Sequence, residues 1–327
     1  MTGHILSGDL TAAGFAAVGL QLLLIVLGAP LLVGGMRQIR ARMEGRVGAG
    51  FLQPWRDLRK LFRKEPIRPH GSTVVFTAAP PVLLASTLVI AAVAPFLSTV
   101  SPLDGVADLF AIVSLLLLGT VALALAGLDT GTAFGGMGAS RAITVAALAE
   151  PTILLAGFAL SARVGSSNLA AIVASSHSHS VHVPSPAGVL AGVALAVVVV
   201  AETGRLPVDN PSTHLELTMI HEAMVLEYSG RDLALVELAS SLRLTVLLAL
   251  GANLFFPVGI ATSSGLLPLL GAALVLALKV SVLAGALATI EVFLAKWRLF
   301  RVPELLAGSF LFGLLAVTAS FFLAGPS

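Results

Sequence analysis

Eight long apolar runs constrain the fold of this chain more than any other feature. Each holds roughly 20 residues, enough for a helix to cross a hydrocarbon core of about 30 Å. Hydrophobic residues fill 57% of the 327 positions and charged residues only 11%, whereas soluble proteins carry about 25% charge. The sequence therefore predicts an all-α integral membrane protein with about eight transmembrane helices in a single domain, residues 1–327. The runs cover residues 12–36, 75–98, 107–128, 142–164, 187–203, 236–257, 267–291 and 303–324.

The basic residues predict the orientation of these helices. Of the 19 Lys and Arg residues, 16 fall in four loops, residues 37–74, 129–141, 204–235 and 292–302, and the loops between them hold none. Lys and Arg are concentrated in cytoplasmic loops. We therefore expect these four loops in the cytoplasm, and both termini outside it, in the cell membrane. Cysteine is absent, which excludes thiolate-held clusters, so we expect no metal or redox centre bound by this chain itself.

The first of these loops contains an amphipathic pattern. Apolar side chains recur every three or four residues while Arg and Lys occupy the other side, and Pro54 fits only the first turn of such a helix. The pattern predicts a helix lying at the membrane surface. It serves either as a lipid anchor or as the wall of a cavity that opens there. The apolar positions are Phe51, Leu52, Trp55, Leu58, Leu61 and Phe62.

Acidic residues are concentrated at the end of the fifth run and in the loop after it. Seven of the chain's 17 acids lie between positions 202 and 237. Because an unpaired charge beside lipid is costly, such a cluster favours a watery cavity or a proton route. Thr213 and Glu216 form a capping box, which predicts a helix starting there. That helix would place Glu216 and Glu227 on one face, about 17 Å apart.

Charged residues also lie inside apolar runs. Glu150 falls in the fourth run and Lys279 near the middle of the seventh. Ionisable residues inside a membrane are functional candidates by default. A structural ion pair is the alternative for each of them.

Several motifs in the same order resemble those of one membrane family. They are Arg46–Glu65, Arg141 with Glu150, Glu202–Asp209, and Glu227–Gly230. In these the chain is similar to the eight-helix membrane component of respiratory complex I that forms the quinone chamber, and to its relatives in membrane-bound nickel–iron hydrogenases and formate hydrogenlyase. Residues 210–215 lack the denser acidic run of complex I, and residues 295–306 resemble the hydrogenase branch.

The resemblance implies a membrane subunit that docks a soluble nickel–iron hydrogenase module and couples its electron transfer to proton movement. An apolar surrounding brings the charged and neutral forms of a carboxyl group closer in free energy, so that it can take up and release a proton. The expected proton path is Glu150, Glu202, Asp209, Glu216, Glu222, Glu227 and Lys279. The expected docking or cavity residues are Arg46, Gln53, Asp57, Lys60, Arg141, Arg205, Arg298 and Arg301.

The implied partners are the hydrogenase large and small subunits, iron–sulfur subunits, antiporter-like membrane subunits and the lipid bilayer, with no nucleic acid. Iron–sulfur and nickel–iron centres would sit in those partners. Three alternatives stay open: a quinone site as in complex I, a free-standing secondary ion transporter, and a passive anchor. No inverted repeat is visible, which argues against the transporter.

Overall fold

The computed structural model describes residues 12–178, 185–209, 219–263, 265–295 and 301–323. Within these ranges the regular structure is helical, with one 3₁₀ turn at Asp104–Val106 and two isolated bridges, Ser98–Ala261 and Asp108–Asn168. The helices are α1 (Ala12–Met43), α2 (Gln53–Phe62), α3 (Val74–Val93), α4 (Leu109–Asp129), α5 (Ala133–Val164), α6 (Leu169–Ser178), α7 (Pro186–Glu202), α8 (His221–Val225), α9 (Gly230–Phe255), α10 (Leu266–Phe293) and α11 (Val302–Leu323).

All eight predicted membrane runs are helices, which confirms the all-α membrane fold. Seven of those in the described ranges are long and apolar enough to cross a membrane. The eighth is α7, apolar but only 17 residues long. The run predicted to begin at residue 142 begins instead at Ala133, because the glycine-rich segment before it is helical and the Thr132 hydroxyl accepts from the Gly135 amide at its start.

Packing places α9 at the centre of the bundle. It contacts α1, α2, α3, α7 and α10, while α5 packs against α4, α7 and α11. One large apolar cluster fills the middle of the bundle. A second lies around Phe76, whose ring stacks on Tyr228 with 4.1 Å between centroids. The Tyr228 hydroxyl donates to the Phe76 carbonyl oxygen at 2.8 Å, so the segment before α9 is attached to the start of α3.

The predicted surface helix is α2. Within this helix, Pro54 and Leu58 are buried while Arg56 and Lys60 are exposed. It packs against α1 and α9. A Cβ atom at Gly34 of α1 would lie 2.1 Å from the carbonyl oxygen of Phe51, so only glycine permits this approach. The helix therefore forms part of the protein wall.

The helix predicted to run from Thr213 through Glu227 is wrong in its C-terminal part. The described helix is the five-residue α8, which ends at Val225, before Glu227. Its start is fixed by Asp209, whose carboxylate oxygen accepts the backbone amides of Ile220 and His221, each at 3.1 Å. A tertiary contact thus decides where this helix begins. Thr213 and Glu216 lie outside the described residues.

Candidate functional site

A cavity of about 570 Å³ lies among α1, α4, α5, α7, α8 and α9. It is found toward the end of the bundle that carries Met43, Asp129, Ala133 and Glu202, which we call the charged face. Charged side chains lining a space between membrane helices indicate that water enters it. Those that line it are Arg37, Arg40, Glu202, Arg205, Asp209, His221, Glu222, Glu237 and Arg243.

The first ionic group at this cavity joins α7 and α9. Glu202 is the last residue of α7, and Arg243 lies thirteen residues into α9, about 20 Å from its start. The Arg243 guanidinium donates to the Glu202 carboxylate, and to the Thr120 hydroxyl of α4 at 2.8 Å. Both charged side chains are at least nine-tenths buried. This is a buried, hydrogen-bonded ion pair.

Glu150 of α5 completes this group, which we call the acidic cluster: Glu150, Glu202 and Arg243. The charges of Glu202 and Arg243 both act on the Glu150 carboxyl group. Glu150 is 4% exposed, and neither of its carboxyl oxygens has a hydrogen-bond partner among the described residues. The cluster therefore contains two carboxyl groups and one guanidinium, and one carboxyl group lacks the hydrogen bonds that would hold it ionised.

A second ionic group, the basic cluster, joins three other elements. The Glu291 carboxylate at the end of α10 contacts Arg40 of α1 at 3.2 Å and Arg205, in the turn after α7, at 3.3 Å. Burial lowers the pKa of Arg205, and the charge of Glu291 opposes that shift. Because two guanidinium groups share one carboxylate, this cluster carries an excess positive charge.

Three of these charged residues were missed by the sequence reasoning: Arg40, Arg243 and Glu291. Arg243 lies in an apolar run, and the rule that selected Glu150 and Lys279 would have selected it too. Glu291 is the last residue of its run and Arg40 one of many bases in its loop, so neither carries a distinctive local signal.

The remaining acids of the predicted path are distributed differently. Asp209 is buried and holds the start of α8, while Glu222 lines the cavity. His221 of α8 approaches the Ser240 hydroxyl at 3.3 Å. Glu227 is half-buried and lies beyond α8. Glu216 lies outside the described residues.

Lys279 lies apart from both clusters. Its ammonium group donates to the Asn253 side chain at 2.7 Å and to the Phe256 carbonyl oxygen at 3.0 Å. Asn253 in turn donates to the carbonyl oxygens of Pro95 and Phe96. These contacts join α10 to the end of α9 opposite the charged face and to the turn after α3.

The predicted docking residues fall into two groups. Arg46, Lys60 and Arg301 are exposed. The others are engaged within the chain: Gln53 donates to Asp57 at 2.8 Å, Arg141 donates to the Met219 carbonyl oxygen at 2.9 Å, and Arg205 lines the cavity. Arg298 lies outside the described residues.

An open groove of about 630 Å³ follows the surface of α2. Its floor is apolar, from Trp55, Leu58 and Phe62, and arginines flank it. Among the described residues no group of three or more His, Asp or Glu side chains is placed to hold a metal ion.

Residues 16–322 match the sequence profile of the family described as NADH dehydrogenase. The chain is 36% identical to hydrogenase-4 component C of Escherichia coli K12, covering 86% of this chain and 88% of that protein. It is 34% identical to formate hydrogenlyase subunit 4 of the same organism, covering 91% and 95%, and 30% identical to NADH-quinone oxidoreductase subunit 8 of Rhodothermus marinus, covering 71% and 70%.

The fold is similar to a chain of the membrane-bound sulfane sulfur reductase, an archaeal respiratory membrane complex. The TM-score is 0.80 at 19% identity, over 93% of this chain and 99% of that one. At this level of identity the likeness concerns the fold alone.

Proposed function

This chain belongs to the NADH dehydrogenase family, and we propose that it is the membrane-embedded subunit of a formate hydrogenlyase or energy-converting hydrogenase complex. In this role it docks a soluble nickel–iron hydrogenase module and couples electron transfer in that module to proton movement. The hydrogenase branch is favoured because the two Escherichia coli relatives are more similar to this chain, over more of its length, than the quinone oxidoreductase relative.

The observation that carries the coupling role is the position of the acidic cluster beside the cavity. Water can enter the cavity from the charged face, and titratable side chains line it. Among these side chains are Glu222, Glu237 and, from the acidic cluster, Glu202. Glu150 of the same cluster is buried and has no hydrogen-bond partner among the described residues. A proton that reaches Glu150 removes an uncompensated buried charge, so uptake and release there can be driven by changes in the surrounding charge.

Docking is assigned to the exposed bases at the charged face. Arg56, Arg59 and Lys60 project from α2, and Arg301 precedes α11. We infer that the charged face is cytoplasmic, with both termini outside, and that the chain resides in the cell membrane. The partners are the hydrogenase large and small subunits, iron–sulfur subunits and antiporter-like membrane subunits, which contain the nickel–iron and iron–sulfur centres.

Purification and reconstitution test this proposal together. A tag on this chain should co-purify nickel and iron proteins, and the complex in lipid vesicles should change internal pH during hydrogen turnover. Glu150→Gln should abolish the pH change while the soluble module still reduces or oxidises a viologen dye. Glu304→Gln, at an exposed position on α11, is the matched control. A chain that purifies alone, or a Glu150→Gln complex that moves protons normally, would contradict the proposal.

Quinone is the second candidate, as an alternative electron acceptor. The groove on α2 favours it because Trp55, Leu58 and Phe62 provide an apolar floor for a quinone ring. A photoreactive quinone should then label α2, and excess unlabelled quinone should prevent the labelling. If α2 were labelled no more strongly than in a Trp55→Leu control, the quinone site would be contradicted. The hydrogenase role would then be the one proposal left.

A further inference from the structure

The acidic cluster contains one more carboxyl group than it can balance. A guanidinium group stays charged at every pH a protein experiences, so Arg243 supplies one fixed positive charge. It can neutralise one carboxylate. The hydrogen bond goes to Glu202, whereas both oxygens of Glu150 lack such a bond within the described residues.

The position of Arg243 is fixed by two other helices, α4 and α7. Its guanidinium is held by Glu202 of α7 and by Thr120 of α4. On α4, a Cβ atom at Gly119 would lie 2.9 Å from Leu83 of α3 and 3.5 Å from the guanidinium. The glycine thus permits the close packing of α4 against α3 beside the guanidinium. The guanidinium therefore occupies a built site and does not swing freely between the two carboxyl groups.

Other charges are poorly placed to replace Arg243. Among the described residues, α5 packs against α4, α6, α7, α8 and α11. His221 and Glu222 of α8 line the cavity, and Arg141 of α5 donates to the Met219 carbonyl oxygen. Asp129 of α4 is bonded to Thr73, and Glu304 of α11 is exposed. Within the described part of the chain, the charges of Glu202 and Arg243 act on Glu150.

We propose that Arg243 is a fixed counter-ion that assigns the mobile proton of the cluster to Glu150. Glu202 stays ionised in its ion pair and acts as a positioning residue. Glu150 accepts a proton from water or an acid of the cavity and returns one, so the cluster alternates between neutral and a single negative charge. This inference rests on the proposed proton-coupling function and names the one group that carries the proton.

The consequence is that Glu202 is needed only because Arg243 is present. In Glu202→Gln the guanidinium, still bonded to Thr120, has lost its charged partner, and its positive charge then acts on Glu150 from the same position and holds Glu150 ionised. Removing the cation as well, in the double variant Glu202→Gln/Arg243→Gln, releases Glu150 again. Replacing both members of a buried pair is tolerated far better than removing one.

The test uses the whole complex reconstituted in lipid vesicles, with viologen-linked hydrogenase activity as the measure of assembly. Protons moved per hydrogen molecule should fall at least about ten-fold in Glu202→Gln and in Glu150→Gln, and return to about half of the unmodified value in the double variant. Arg243→Lys, which keeps the charge, should retain coupling. A double variant as inactive as Glu202→Gln would overturn the inference, because Glu202 itself would then carry the proton.

Infrared spectroscopy gives a second readout that does not depend on the double variant. The carbonyl band of a protonated carboxylic acid should be present in the unmodified complex and absent in both Glu150→Gln and Glu202→Gln. A band that persists in Glu150→Gln but is lost in Glu202→Gln would assign the proton to Glu202 and refute the inference. If the unmodified complex moved no protons at all, the coupling function itself would fail, a different result from failure of the double variant alone.

Discussion

Glu291→Gln is the substitution whose effect the structure defines most sharply. The Glu291 side chain is 1% exposed and contacts Arg40 at 3.2 Å and Arg205 at 3.3 Å. The substitution keeps the size of the side chain and removes its charge. Two guanidinium groups, 19% and 10% exposed, then face each other without a carboxylate between them.

The magnitude follows from the burial of the cluster. Breaking a buried ion pair by removing one partner costs about 3–5 kcal/mol. Because Arg40 and Arg205 also line the cavity, water screens part of their repulsion, and we expect about 3 kcal/mol, the lower end of that range. A loss of this size raises the equilibrium constant for unfolding more than about a hundred-fold, because ~1.4 kcal/mol corresponds to a ten-fold change in an equilibrium constant.

The assay is unfolding of the detergent-solubilised complex in increasing sodium dodecyl sulfate, followed by helical circular dichroism. The matched control is Glu44→Gln, which removes an ion pair with Arg46 whose side chains are 38% and 72% exposed. Such a surface pair contributes about 0–1 kcal/mol. The double variant Glu291→Gln/Arg40→Gln restores the original net charge of the cluster and should recover part of the loss. A Glu291→Gln complex as stable as the Glu44→Gln complex would refute the reasoning.

Three further predictions concern packing and hydrogen bonds. Gly34→Ala should detach α2 and expose the first loop to protease, because the added Cβ would lie 2.1 Å from the Phe51 carbonyl oxygen. Gly35→Ala is the control and should leave α2 in place, since its Cβ would lie 3.6 Å from the Phe51 ring. Tyr228→Phe should lower the free energy of unfolding by about 1 kcal/mol, measured in the same assay, because it loses the bond to Phe76 and keeps the ring stacking. Asn253→Leu should lower the free energy of unfolding in that assay by about 1–3 kcal/mol, because it removes the amide that donates to the carbonyl oxygens of Pro95 and Phe96.

The sequence was sufficient for features that depend on local pattern. The length and apolarity of each run predicted the eight helices, and the spacing of Trp55, Leu58 and Phe62 predicted α2. An acid inside an apolar run was enough to identify Glu150 as a candidate. These properties depend on neighbours within a few turns, which a single chain displays directly.

The sequence could not predict pairings between distant residues. Arg243 lies 41 residues from Glu202, and Glu291 lies 86 from Arg205. Their meeting depends on how α7, α9 and α10 pack, which local pattern does not encode. The capping box at Thr213 was a local signal of the same kind as those that succeeded. The helix that it predicted was expected to reach Glu227, but the described helix ends at Val225. The amides of Ile220 and His221 donate to Asp209 where that helix begins, a contact that local pattern does not show.

The two clusters have opposite excess charges and border one cavity. The basic cluster holds two guanidinium groups for the single carboxylate of Glu291, and Arg37 adds another positive charge to the same wall. A free cation that enters the cavity meets this positive field, and interactions between charges in a cleft are stronger than in water. A proton can instead pass between titratable side chains and water without crossing as a bare ion. Under the proposed coupling function, this arrangement favours proton transfer to Glu150 over passage of a metal cation.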